Sequence, residues 1–163
     1  VDDGLLLIGE STGHLEQSIY VQQLLGLKGG MPPPVDLITE RKNGDFIREL
    51  IEQGYVNTCH DLSDGGLLVA ATEMALSGNI GLTLEGPEDP GFWFGEDQAR
   101  YLLSVPKSEM VIIMQKAQDK NILVQNIGHT GGNALTLNGS PPICLKELRR
   151  LHESWLPNYM ENA

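Results

Sequence analysis

The chain has 163 residues, of which 40% are hydrophobic, enough for one domain with a real core and too many for a disordered segment. Its formal charge of −11 sets the surface against nucleic acid and anionic membranes, and favours small-molecule chemistry. Two cysteines, Cys59 and Cys144, are too few and too separated for a disulfide scaffold or a zinc site, so a reducing cytoplasm is expected.

In chain order, residues 5–10 read as a strand, and 16–25 have helical spacing that ends at Gly26. Lys28-Gly29-Gly30-Met31-Pro32-Pro33-Pro34 has only loop chemistry. Residues 36–53 carry Leu37, Phe46, Ile47, Leu50 and Ile51 at the spacing of a helix with one buried face, and Gly54 is its C-terminal cap. A short buried strand is expected over 55–59, with Cys59 in it, followed by a helix over 67–76 that Ser77-Gly78-Asn79 stops. Ile80, Leu82 and Leu84 alternate as a strand does, and 87–91 is an acidic loop. Residues 101–105 form another strand, Pro106 opens a helix to about Lys120, and 122–127 and 134–137 are strands. No segment approaches the roughly 20 apolar residues that span a bilayer, and the amino terminus lacks a basic start followed by an apolar signal core. Because Val1-Asp2-Asp3-Gly4 runs almost directly into a core strand, the whole of 1–163 is expected to be a single domain of a longer chain.

The most informative stretch is His60-Asp61-Leu62-Ser63-Asp64-Gly65-Gly66, where an apolar segment gives way to a helix. Carboxylates suit Mg²⁺, and free amides at a helix start suit a phosphate. On this reading Asp61 is the metal ligand, while Ser63, Asp64, Gly65 and Gly66 meet a nucleotide phosphate. The competing reading is plain helix capping, since Asp and Ser are preferred N-caps and glycines allow tight turns. One cap residue suffices, however, and this turn offers three candidates followed by two poor helix formers.

His-Asp-Leu-Ser-Asp-Gly-Gly-Leu, followed by Ala71-Thr72-Glu73-Met74-Ala75-Leu76 and Ser77-Gly78-Asn79-Ile80-Gly81, resembles the C-terminal half-domain of the aminoimidazole ribonucleotide synthetase superfamily. Within it the chain is most similar to the formylglycinamidine ribonucleotide synthetase (phosphoribosylformylglycinamidine synthase) family of purine biosynthesis. The entering strand, His14-Leu15-Glu16-Gln17-Ser18-Ile19-Tyr20, Phe94-Gly95-Glu96-Asp97-Gln98-Ala99-Arg100-Tyr101 and the closing 145–160 segment carry the same resemblance, with Glu16 where the family often has glycine. Periodicity alone gives mixed α and β. The resemblance implies an α+β fold, an α/β sandwich in which helices cover a mixed sheet. It implies an ATP-dependent ligase using Mg²⁺ and ATP, in which the substrate amide oxygen is activated as an iminophosphate and ammonia displaces phosphate. Implied partners are the N-terminal half-domains of the same chain, a glutaminase subunit and a small accessory subunit. The Ser-Asp-Gly-Gly turn resembles the second of two superfamily copies, associated with a structural or degenerate nucleotide site.

Gly95-Glu96-Asp97-Gln98-Ala99-Arg100 resembles the family's substrate-side motif, where Glu96, Asp97 and Gln98 are candidates for substrate contact and Arg100 for a phosphate. A solvated loop entering a strand is the alternative, and a carboxylate at Asp97, where relatives of this type carry a hydroxyl, weakens anion binding. His60 and His129 are expected to be hydrogen-bonded structural residues, Thr130-Gly131-Gly132 a strand-connecting turn, and Trp93 and Trp155 packing residues. A non-catalytic half-domain holding a static nucleotide is the second functional expectation, and a domain of another superfamily member, such as aminoimidazole ribonucleotide synthetase, the third.

Overall fold

The computed structural model describes residues 2–161; Val1, at the head of the entering run, lies outside them. Strand β1 (Gly4–Ile8) is buried along its whole length. The reason is its place: it lies between β4 (Tyr101–Val105) and β5 (Val124–Thr130), antiparallel to both. A strand covered on both faces needs apolar residues on both, and Gly-Leu-Leu-Leu-Ile supplies them. Leu5 and Leu7 face one core, and Leu6 and Ile8 the other.

Seven strands form a mixed sheet in the order β2-β4-β1-β5-β3-β6-β7, completed by β2 (Thr58–Asp61), β3 (Leu82–Leu84), β6 (Ala134–Leu137) and β7 (Ile143–Cys144). Among the described residues only β3 and β6 pair in parallel; the other neighbours are antiparallel. One face is covered by α1 (Leu37–Glu52) and α4 (Lys107–Asp119), through Phe46, Ile47, Leu50, Ile113 and Ala117. Each of the larger of these side chains, Phe46, Ile47, Leu50 and Ile113, stabilises by about 1.5–3 kcal/mol on burial. The opposite face carries α2 (Gly66–Gly78), α3 (Pro90–Phe94) and α5 (Leu145–Glu161), with Leu67, Ala71, Phe92, Trp93 and Leu145 in its core. The α+β expectation holds in this form.

Helix α1 starts where the sequence places it, because the Asp36 carboxylate accepts from Ile38 N at 2.9 Å and from Thr39 Oγ1 at 2.7 Å. Helix α2 stops at Asn79, which is left-handed at φ +50°.

Four expectations are corrected. Residues 16–25 are not a helix: Gln17 sits at φ +61°, and only a π-helical turn over Tyr20–Leu24 follows, burying none of its residues. Tyr20 packs on Phe94, but Leu24 and Leu25 are exposed, so no apolar face is buried that would hold a longer helix. The strand expected over 55–59 is shifted to β2, an edge strand with three of its four residues exposed, Cys59 among them. The acidic loop over 87–91 ends early, because Asp89 accepts from Gly91 N at 3.0 Å and caps α3 with Pro90 in its first turn. Trp93 is a packing residue, donating to Pro87 O at 2.8 Å, but Trp155 is exposed and stacks on Tyr159 with ring centroids 5.4 Å apart. β5 extends through Thr130, and Gly131-Gly132 then connects it across β3 to β6.

Register fixes where the loops gather. Tyr101 at the start of β4 lies opposite both Ile8, the end of β1, and Asp61, the end of β2. The connections after β1, after β2 and before β4 therefore emerge at one end of the sheet, together with the start of α2.

Candidate functional site

At that end the turn after β2 begins with Leu62 N donating to Arg100 O at 2.9 Å, which ties it to the start of β4. Ser63 and Asp64 are then exposed and make no side-chain hydrogen bond among the described residues. Gly65 is the N-cap of α2 at φ +79°, without a side-chain cap from the turn itself. The capping reading of Asp61, Ser63 and Asp64 is thus set aside by the geometry. Gly66 is at φ +68°, and a Cβ there would lie 2.5 Å from Gly95 O and 2.8 Å from Phe94 C. The glycine pair has a local cause: a left-handed entry into α2 and backbone-close packing of its first turn on the 94–95 segment.

The two amides of that pair are already engaged. Gly65 N donates to Glu96 Oε1 at 2.8 Å, and Gly66 N donates to Ser63 O at 3.0 Å. Glu96 Oε1 also accepts from Ile19 N at 2.9 Å. A carboxylate at a helix start gains from the aligned peptide dipoles as a phosphate would. Here the carboxylate comes from the protein.

Asp97 turns inward. It is 6% exposed, and its carboxylate accepts from Thr12 Oγ1, from Gly13 N at 3.0 Å and from His14 N at 3.2 Å. Arg100, 1% exposed, donates from Nε to Asp97 O at 3.2 Å, from Nη1 to Ser11 Oγ at 3.0 Å and from Nη2 to Gly95 O. Its guanidinium lies 3.9 Å from the Asp97 carboxylate. Burial pushes the Arg100 pKa below its ordinary value, and the Asp97 charge opposes that shift. The expectation that Arg100 faces a phosphate is corrected: every bond it makes is internal, as a buried guanidinium requires. Gln98 is exposed, with Nε2 donating to Glu96 O at 3.2 Å. It lines a hollow of about 170 Å³ with Glu10, Thr12, Asp36, Thr39 and Asp97, in which no basic group takes part.

Asp61 stands apart from this network, its side chain 75% exposed. Among the described residues no group of three or more His, Cys, Asp or Glu gathers at a metal-sized point. One carboxylate is compatible with Mg²⁺ held otherwise by water and substrate phosphates, and it is not a metal cage. The phosphate reading fits less well, because the Gly65 and Gly66 amides have partners of their own; the Ser63 hydroxyl and the Asp64 side chain are the exposed groups of the turn. His60 is a structural pairing residue, with Nε2 3.2 Å from Glu73 Oε2 and Nδ1 donating to Asp61 O at 2.5 Å.

Residues 14–31, a strap, close on themselves. His14 Nε2 donates to Met31 O at 2.9 Å, Gln17 Nε2 to Gly30 O at 2.7 Å, and Met31 N to Glu16 Oε2 at 2.6 Å. Ser11, Thr12 and Gly13, the partners of Arg100 and Asp97, were not singled out in the sequence. The available signal was Arg100 itself, a charge set directly before the buried strand Tyr-Leu-Leu-Ser-Val.

Against known families, the model described as AIR synthase related protein, C-terminal domain, matches residues 1–137. The chain belongs to this family. It is 46% identical over 162 residues to the phosphoribosylformylglycinamidine synthase subunit PurL of Rhodopseudomonas palustris (strain HaA2), and 49% identical over 154 residues to that of Rhodospirillum rubrum. These alignments take in 97% and 93% of the chain, but only 22% and 21% of the relatives, so the chain spans about a fifth of their length. Among solved structures, Thermotoga maritima PurL complexed with FGAR superposes with a TM-score of 0.73 at 18% identity, over 90% of this chain and 27% of that one. Thiamine-monophosphate kinase from Stenotrophomonas maltophilia gives 0.55 at 15% identity, over 85% of this chain and 50% of the other. At these identities the structures speak for the fold alone.

Proposed function

We propose that the chain is the C-terminal part of an ATP-dependent phosphoribosylformylglycinamidine synthase, a ligase that amidates formylglycinamide ribonucleotide with glutamine-derived ammonia. The observation that carries this reading is identity of 46–49% with synthase subunits along almost the whole chain. Solved T. maritima PurL complexes with ATP, and a PurLQS assembly from the same organism, are in keeping with ATP as cosubstrate and with further subunits. The partners are then the other half-domains of a longer chain, a glutaminase subunit and a small accessory subunit. Mg²⁺ and a cytoplasmic location complete the proposal; no helix among the described residues is long and apolar enough to cross a membrane.

ATP, when bound, supplies the phosphoryl group that makes the substrate's amide oxygen a leaving group. This chain's share is positional. Asp61 and Ser63 present an exposed carboxylate and hydroxyl at the start of α2, and Gln98 an exposed amide at the acidic hollow. Asp97 and Arg100 hold the 94–100 segment beside that helix. Basic groups for a phosphate come from outside this set, because the hollow contributes none.

A second reading, a non-catalytic half, is favoured by the engaged Gly65 and Gly66 amides. One experiment separates the readings. The chain is grafted in place of the matching segment of the R. palustris subunit, and ATP- and ammonia-dependent amidination is assayed. Product formation within about tenfold of the parent supports the synthase reading; a folded graft with no turnover overturns it. A graft that works equally well as Asp61→Asn and Ser63→Ala variants identifies a structural half.

A further inference from the structure

We propose that Glu96 is a built-in anion that closes the start of α2 and latches the strap to it. One carboxylate oxygen, Oε1, accepts from Gly65 N at 2.8 Å and from Ile19 N at 2.9 Å. These two donors lie on segments that no strand pairing joins, one entering α2 and the other leading into the π-helical turn. The oxygen sits where a phosphate would have to stand to meet the Gly65 amide. A phosphate on that amide and a latched Ile19 are therefore mutually exclusive, because the incoming anion displaces the acceptor that holds the strap. The strap has few other anchors around Ile19. It buries none of the side chains of its π-helical turn, and Leu24, Leu25 and Leu27 are exposed. Its remaining ties at this point are internal bonds, the Asp97 bonds to Gly13 and His14, the bond from Glu96 N to His14 O at 3.0 Å, and the contact of the Tyr20 ring with Phe94 at 4.9 Å between centroids. The latch follows from geometry alone and stands or falls independently of the synthase assignment.

The test reads the Gly65 and Ile19 amide signals by ¹H–¹⁵N NMR in this chain. Titration with inorganic phosphate, then with Mg-ADP, is expected to move both signals together or neither. A shift of Gly65 with Ile19 unchanged means that an anion joins Glu96 without displacing it, and overturns the proposal. In Glu96→Ala, hydrogen exchange at both amides is expected to rise about tenfold or more, because each loses a charge-assisted bond. Phosphate should then move Gly65 at concentrations that leave the wild type unmoved. Exchange that rises at only one of the two amides overturns the latch. If Glu96→Ala does not fold, Glu96→Gln keeps the acceptor and the shape, and carries the test. A rise of a few-fold at both amides and not at the β1 amides is expected, and an unchanged Ile19 refutes the proposal.

Discussion

Two acidic stretches meet at the start of α2, and they are opposites. At the end of β2 and in the turn after it, the side chains of Asp61, Ser63 and Asp64 are exposed and make no hydrogen bond among the described residues. In the segment before β4, Asp97 and Arg100 are buried, Glu96 is half-buried, and all three are bonded to other parts of the chain. Read as sequence, both stretches are charged, glycine-containing and ligand-like. Burial separates them: the second maintains the fold, and the first has polar groups with no structural duty. Ligand chemistry belongs where the chain has no use of its own for a charge, so under the proposed function positioning would fall to Asp97 and Arg100 and recognition to 61–64 with Gln98.

The largest effect should come from Arg100. Arg100→Met removes three internal donors, leaves the Gly95 and Asp97 carbonyls without them, and takes the counter-charge from the buried Asp97 carboxylate, which keeps its bonds to Thr12, Gly13 and His14. Breaking a buried pair from one side costs about 3–5 kcal/mol. Urea unfolding of the variant checks this. A loss under about 1 kcal/mol would remove the contrast between the two stretches, since surface changes have that size.

Next come two glycines with the same backbone angle and different surroundings. Gly66 and Gly132 are both at φ +68°, but a Cβ at Gly66 meets Gly95 O at 2.5 Å, while one at Gly132 meets nothing within 4 Å. Gly132→Ala should cost only the left-handed conformation, about 1 kcal/mol. Gly66→Ala adds a backbone clash that α2 and the 94–95 segment can relieve only by separating, so a loss of about 2–4 kcal/mol is expected. Thermal unfolding of the pair measures the difference directly. Equal losses would mean that α2 does not need its close approach to Gly95.

These same residues show what the sequence made legible. The helices α1, α2 and α4, and the strands β1 and β4, lie close to where periodicity places them, because each presents an apolar face to one of two cores and burial enforces the spacing. Periodicity failed over 16–25 for the converse reason. Leu24 and Leu25 have helical spacing but no core to meet, and the strap's course is set by Glu96 and Asp97, 77 and 84 residues away. In the candidate site, the turn was recognisable from composition. The cause of its glycines was not, since the carbonyl that forbids a side chain at Gly66 belongs to Gly95. Arg100 was misplaced by the same gap: a lone Arg in a polar motif reads as exposed, and only the tertiary structure supplies Ser11 and Gly95 as acceptors.

The smallest expected change in stability is the most informative about function. Asp61→Asn replaces a carboxylate whose side chain is 75% exposed and lies 4.0 Å from the His60 ring. Such a surface substitution shifts stability by no more than about 0.5 kcal/mol. If Asp61 supplies a Mg²⁺ ligand in the longer enzyme, the grafted synthase carrying it should lose about tenfold or more in turnover, and raised Mg²⁺ should partly restore it. The unfolding curve would stay in place. A curve that moves while turnover holds would reverse the assignment: the turn would then belong with 94–100 as scaffold, and the contrast between the two stretches would be one of burial only.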